Sequence, residues 1–73
     1  MQVWQKRILE IDGGFASTTD LSRITRKNRN ILEDYLHKIG VRSNGITAAG
    51  ALHVDCVWDV SSIQMAIERT LIA

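Results

Sequence analysis

The chain has 73 residues, one cysteine, no proline and a formal net charge of +1. This length allows a single domain over residues 1–73, with a small core. A lone cysteine excludes an internal disulfide and an all-cysteine zinc site. A hydrophobic fraction of 45% with 23% charged residues is typical of a globular chain and excludes a disordered one.

The sequence also gives predictions about localisation and enzymatic activity. No run of about 18 apolar residues occurs, so we predict no membrane span. Glu10 and Asp12 interrupt the N-terminal segment, which predicts no signal peptide. With the unpaired Cys56, this favours a cytoplasmic protein. A core this small leaves little room for an enclosed pocket, so we expect a non-enzymatic protein without a cofactor.

The first predicted element is a short helix over residues 3–11, where Trp4 and Ile8 begin an apolar stripe at helical spacing. A pair of glycines ends this N-terminal segment, which spans residues 1–14. The next three residues, 15–17, are interpreted as a connector.

A second short helix is predicted over residues 19–25, with Leu21 and Ile24 facing the core. Its N-cap is one of three consecutive polar residues, because each side chain can accept from the free N–H groups of a helix start. They are Thr18, Thr19 and Asp20.

The strongest periodic signal lies in residues 29–39, where apolar residues recur at i, i+3, i+4 and i+7 and Ile31 widens the stripe. Asn28 is a favoured N-cap, and Gly40 stands where a helix-ending glycine is expected. A short helix, a tight turn and a longer helix form the helix-turn-helix plan, here over residues 18–40.

After residue 40 the pattern changes from helical to alternating. The apolar residues Leu52, Val54 and Cys56 alternate with His53, Asp55 and Val57, a period of two that predicts a strand. We predict a two-stranded hairpin, or wing, over residues 41–58, and interpret Cys56 as a small buried hydrophobic residue.

The last predicted element is an amphipathic helix over residues 59–72, capped by Asp59 or Ser61. Its apolar residues, including those from Met65 to Leu71, are assigned to the core. The fold class is therefore mainly α with a small β-hairpin, in the order of a winged helix-turn-helix.

The helix-turn-helix segment contains a characteristic series of residues: a leucine, a threonine four residues later, a polar N-cap, a second leucine and an aromatic residue. They are Leu21, Thr25, Asn28, Leu32 and Tyr35. Followed by Trp58 and Asp59 after the wing, this pattern resembles the MerR-like winged-helix superfamily over about residues 18–70. Phage excisionases and the DNA-binding domains of phage small terminase subunits share this plan. The resemblance implies DNA binding without catalysis.

Two features depart from that family pattern. Many members carry glycine in the turn, where this chain has Arg26. The predicted wing is also rich in glycine and alanine over residues 45–50 rather than basic.

The net charge hides an uneven distribution. Residues 20–42 carry six basic and three acidic residues, whereas the rest of the chain carries three basic and five acidic residues. The positive charge lies where the second helix of the helix-turn-helix begins, and free backbone N–H groups there favour phosphate. The predicted DNA-binding residues are Arg23, Arg26, Lys27, Asn28, Arg29, Asn30 and Arg42.

Two of these residues are assigned to the base edges. Arg29 and Asn30 open the second helix, whose N-terminal residues reach the bases in this class of protein. Arginine suits the O6 and N7 atoms of guanine, and asparagine suits the N6 and N7 atoms of adenine. No set of His, Cys, Asp and Glu residues has metal-ligand spacing, so no metal site is predicted.

The leading hypothesis is a small protein of phage or mobile-element type that binds double-stranded DNA, excisionase-like or a transcriptional regulator. A module this small makes few contacts, so we expect a homodimer or self-association on DNA. A recombinase is a candidate protein partner. The alternatives are a protein-interaction module, such as a small inhibitor or adaptor, and the DNA-binding domain of a small terminase subunit. A short basic run is also compatible with a solvated face.

Overall fold

The computed structural model describes residues 1–48 and 54–72. Within these residues the chain forms four helices and three strands. In chain order they are α1 (Val3–Leu9), β1 (Phe15–Ser17), α2 (Thr18–Thr25), α3 (Arg29–Lys38), β2 (Gly45–Ala48), β3 (Val54–Asp59) and α4 (Val60–Ile72). The prediction of a mainly helical fold with a small antiparallel hairpin is confirmed. The described part of the chain contains no helix long and apolar enough to cross a membrane.

β3 is the central strand of an antiparallel sheet in the order β1-β3-β2. Ala16 of β1 pairs with Trp58, and Ile46 of β2 pairs with Cys56. The interpretation of residues 15–17 as a connector is therefore wrong. A strand of three residues is too short to display an alternating pattern, and its partner lies far along the chain.

The hairpin continues further than its predicted boundary. β3 includes Trp58 and Asp59, so α4 begins at Val60. Leu52 and His53, which were assigned to this strand, lie outside the described residues. Of the two predicted caps of the last helix, the structure has Asp59, whose Oδ1 accepts from the backbone N–H of Ser61 at 3.2 Å.

A reciprocal cap fixes the start of α2. The hydroxyl of Ser17 accepts from the backbone N–H of Asp20 at 3.1 Å, and the carboxylate of Asp20 accepts from the backbone N–H of Ser17 at 3.3 Å. Two N–H groups at the helix start are satisfied in this way. The N-cap is therefore Ser17, and the prediction that placed it at one of the next three residues is wrong.

The buried face of α2 also differs from the prediction. Leu21 is fully buried, but Ile24 is 38% exposed while Thr25 is only 5% exposed. The buried stripe follows positions 18, 21 and 25, and Ile24 falls at its edge. Thr25 is accommodated because its hydroxyl donates to the carbonyl of Leu21 at 2.6 Å.

Both predicted ends of the longer helix α3 are confirmed. The side chain of Asn28 accepts from the backbone N–H of Asn30 at 2.8 Å, as an N-cap does. Gly40 follows the helix with a φ of +86°, the left-handed conformation that favours glycine.

The core gathers side chains from all four helices and from β1 and β3. Its buried apolar residues are Ile8, Ala16, Leu21, Leu32, Leu36, Val41, Trp58, Val60, Ile63, Ala66 and Ile67. Cys56 packs against them but is only half-buried. Three residues assigned to the buried stripes are instead exposed, at 55% for Ile31, 62% for Met65 and 51% for Leu71.

α1 ends two residues before its predicted end and is fastened to α4. The side-chain amide of Gln64 donates to the carbonyls of Ile8 and Ile11 at 3.1 and 2.9 Å. These bonds satisfy carbonyls that have no partner within the helix. Gln64 thereby joins the first turns of α4 to the end of α1.

Candidate nucleic-acid interface

The turn between α2 and α3 is held by local hydrogen bonds. Arg26 adopts the left-handed conformation, with φ 60° and ψ 28°, and its backbone N–H donates to the carbonyl of Ser22 at 2.8 Å. The hydroxyl of Ser22 in turn donates to the carbonyl of Lys27 at 2.6 Å. The position where the family pattern has glycine thus has the backbone conformation that favours glycine.

Four polar residues surround a shallow depression where α3 begins. It has a volume of about 420 Å³ and is lined by Ser22, Asn28, Arg29 and Asn30. The three residues from the start of α3 were predicted as site residues, whereas Ser22 was not. Ser22 lines the depression because of the way in which α2 packs against α3, and the sequence around Ser22 does not indicate this packing.

The other predicted basic residues near the turn differ in their exposure and in their contacts with the rest of the protein. Arg23 and Arg26 are exposed. Lys27 is half-buried, and its ammonium group lies 5.8 Å from the centre of the Trp4 ring. A cation over an aromatic face is attracted by the ring electrons. Lys27 is therefore tied to α1, while the two arginines are free to meet a ligand.

Arg29 forms an ion pair inside the protein. Its Nη2 lies 3.3 Å from Oδ1 of Asp55 on β3. The Asp55 side chain has no exposed surface, whereas 42% of the Arg29 side chain is exposed. Nε of Arg29 is buried and has no hydrogen-bond partner. The ion pair therefore joins the start of α3 to the central strand.

Asp55 is a functional candidate that the sequence does not indicate. The alternating pattern gave it no role, because a strand residue between apolar neighbours is normally exposed. The other carboxylate oxygen of Asp55, Oδ2, accepts from the backbone N–H of Thr19 at 2.8 Å, at the start of α2. Its pKa is set by several effects. Burial raises it, but hydrogen bonds from Thr19, the charge of Arg29 and the Thr18 hydroxyl together lower it below 3.8.

Thr18 connects this network to the core. Its hydroxyl accepts from Nε1 of Trp58 at 2.8 Å, and both side chains are fully buried. The indole N–H would otherwise be buried without a partner. The beginning of α2 is therefore held by β3 at two neighbouring positions, through Trp58 and through Asp55.

Arg42 does not join the cluster at the turn. α3 has ten residues, so its two ends are about 15 Å apart at 1.5 Å per residue. Arg42 follows the far end and lies beside Arg69 of α4, in a cleft of about 320 Å³ that Ser62 and Met65 also line. Six of the predicted site residues thus lie around the turn and the start of α3, and Arg42 lies elsewhere.

The outward face of α3 can be read from its burial pattern. Leu32 and Leu36 are buried, so the opposite side of the helix carries Asn30, Asp34 and Lys38, all of which are exposed. This face is mainly polar, with the exposed Ile31 at its edge, and its middle residue is negatively charged. It presents hydrogen-bonding groups rather than a uniform positive surface.

Among the described residues, no group of three or more His, Cys, Asp or Glu side chains lies close enough to hold a metal ion. No family model matches the chain, and no curated protein or solved structure matches it.

Proposed function

We propose that the chain is a small, non-enzymatic winged helix-turn-helix protein that binds double-stranded DNA with the first turns of α3. In this reading α2 and α3 are the helix-turn-helix, and β2 and β3 are the wing. The proposal implies a cytoplasmic protein with access to DNA. Its role would be that of an excisionase-like factor or transcriptional regulator of phage or mobile-element type.

The observation that carries the proposal is the arrangement at the start of α3. Arg23 at the end of α2 and Arg26 in the turn are both exposed, as is Asn30 in the first turn of α3. The first N–H groups of a helix and nearby arginines both attract phosphate. A polar outward face is also what a helix needs in order to reach base edges in the major groove.

The protein would bind DNA as a homodimer or as copies bound side by side, since one module of this size makes few contacts. A recombinase is a further candidate partner. The DNA-binding domain of a small terminase subunit would use the same surface. These roles differ in the process served and share the interface.

A protein-interaction module is the second candidate, and a separate observation favours it. Met65 and Leu71 of α4 are 62% and 51% exposed. Met65 lines the cleft with Arg42 and Arg69. Of the two apolar side chains, Met65 is the one that lies beside the arginines, and an exposed apolar side chain in such a cleft suits a protein partner better than a DNA groove.

The experiment that tests DNA binding is a salt titration on a labelled 24-base-pair duplex of random sequence. We expect Arg23→Ala/Arg26→Ala to weaken binding and to lower the slope of log K against log salt by about 1.8, from about 0.9 per phosphate contact. The matched control is Lys6→Ala/Arg69→Ala, which removes the same charge from exposed positions outside the predicted site.

The control double variant should retain the slope of the unmodified chain. Absence of binding at low salt would refute DNA binding and favour the interaction module. Equal losses in the two double variants would refute the assignment of the interface to the turn, because the binding would then depend on net charge alone.

A further inference from the structure

We propose that Asp55 is a positioning residue that fixes Arg29 as a base-reading donor and withholds it from the phosphate backbone. This inference rests on the proposed DNA-binding function and assigns a role within it. The juxtaposition that carries it is a fully buried carboxylate on the central strand, bonded to the first residue of the helix that would enter the groove.

The carboxylate is itself immobile. Oδ2 of Asp55 is bonded to the backbone N–H of Thr19 at 2.8 Å, so the side chain is held by the helix start of α2 as well as by β3. Arg29 meets the other oxygen at 3.3 Å. An arginine tethered to a fixed anchor loses the rotamer freedom that a surface arginine keeps.

The guanidinium is held part of the way into the protein. Nε of Arg29 is buried, yet 42% of the side chain is exposed, and Arg29 lines the depression together with Asn30. The planar guanidinium of Arg29 therefore presents only some of its N–H donors to a ligand, next to the side-chain amide of Asn30. Such a pair suits a guanine edge followed by an adenine edge.

The charge of Arg29 is compensated before any DNA arrives. Asp55 has a depressed pKa and stays ionised at neutral pH, so the pair carries no net charge. A phosphate contact contributes to affinity by releasing counterions from the DNA. A cation already paired with a buried carboxylate supplies little of that effect. Arg29 should therefore contribute discrimination between sequences rather than salt-dependent affinity.

The test compares four chains on two duplexes. The chains are the unmodified protein, Arg29→Ala, Asp55→Asn and the double variant. The duplexes are a random sequence and the best site selected from a randomised library with the unmodified protein. Arg26→Ala is the matched control, because it removes an exposed arginine from the turn that precedes α3. Thermal melts show which variants are folded.

We expect Arg29→Ala to lower the preference for the selected site about 10-fold or more while leaving the salt slope unchanged. Arg26→Ala should lower the slope by about 0.9. Asp55→Asn should reduce the preference and steepen the slope by about 0.9, since it frees Arg29 for phosphate. In the Arg29→Ala background, Asp55→Asn should have no further effect on either quantity.

Two results would overturn the inference while leaving DNA binding intact. If Arg29→Ala lowers the slope as much as Arg26→Ala does, Arg29 is a phosphate contact. If Asp55→Asn has the same effect with and without Arg29, Asp55 acts on the fold and not through Arg29. If Asp55→Asn does not fold, the slopes of Arg29→Ala and Arg26→Ala decide the question alone. Absence of binding by the unmodified chain would instead refute the proposed function itself.

Discussion

Replacing Asp55 with asparagine is expected to lower the free energy of unfolding by about 2 to 3 kcal/mol at neutral pH. The buried carboxylate accepts from the backbone N–H of Thr19 and from Arg29. A hydrogen bond to a charged group contributes about 1.5 to 3 kcal/mol. Asparagine keeps one oxygen for Thr19 but loses the charge that binds Arg29. Because 42% of the Arg29 side chain is exposed, water can solvate the released cation, which keeps the loss below the cost of a fully buried pair.

This loss is large for so small a chain, whose total stability should be about 4 to 11 kcal/mol at the usual value per residue. It should also depend on pH. The pKa of Asp55 is lower in the folded state than the value of 3.8 expected for an exposed carboxyl. The charge therefore stabilises the fold fully above the unfolded-state pKa, and this stability is lost as the pH falls through the folded-state pKa.

The assay is urea denaturation followed by the fluorescence of the two tryptophans, at pH 7, 4 and 2.5. The difference between the unmodified chain and Asp55→Asn should be largest at pH 7 and should shrink at each step into acid. Asp34→Asn is the matched control, because Asp34 is exposed on α3, and its effect should stay within about 0.5 kcal/mol. A difference that is the same at all three pH values would show that the Asp55 charge does not stabilise the fold, as would an Asp55→Asn variant of full stability at pH 7.

Two further predictions concern the turn and its cap. Arg26→Gly should raise the free energy of unfolding by about 0.5 to 1 kcal/mol. A residue with a side chain is strained by about 1 to 2 kcal/mol in the left-handed conformation, and the larger entropy of glycine in the unfolded chain offsets part of the strain that is removed. A denaturation midpoint at or below that of the unmodified chain would contradict the φ of 60° at this position. Asn28→Ala should destabilise the chain by about 1 kcal/mol, because the first turn of α3 loses the bond to Asn30 N–H, and an unchanged midpoint in the same assay would show that this cap contributes nothing.

Features that depend on neighbours in the chain could be predicted from the sequence. The N-cap at Asn28, the left-handed glycine at Gly40 and the buried pair of Leu32 and Leu36 are all local, since helix periodicity and capping act within a few residues. The same holds for the three-residue turn, which lies where the basic run interrupts the apolar pattern.

Features that depend on distant parts of the chain could not be predicted. β1 exists because residues 15–17 pair with the far strand β3. Thr25 is buried in place of Ile24 because the face that α2 buries depends on how it packs against the rest of the protein. A short helix with only two apolar residues does not determine that face. The sequence assigns Arg29 to base edges, but its buried partner Asp55 comes from another element and could not be predicted. Three-dimensional packing alone brings these groups together.

DNA is proposed to contact the chain at the turn and the start of α3. The most direct measurement is an NMR titration of the ¹⁵N-labelled protein with the 24-base-pair duplex at low salt. The expectation is that the largest shifts of backbone amide signals fall within residues 22–31, and that those of Met65 and Leu71 on α4 stay unchanged. Shifts confined to α4, or no shifts at saturating duplex, would contradict it.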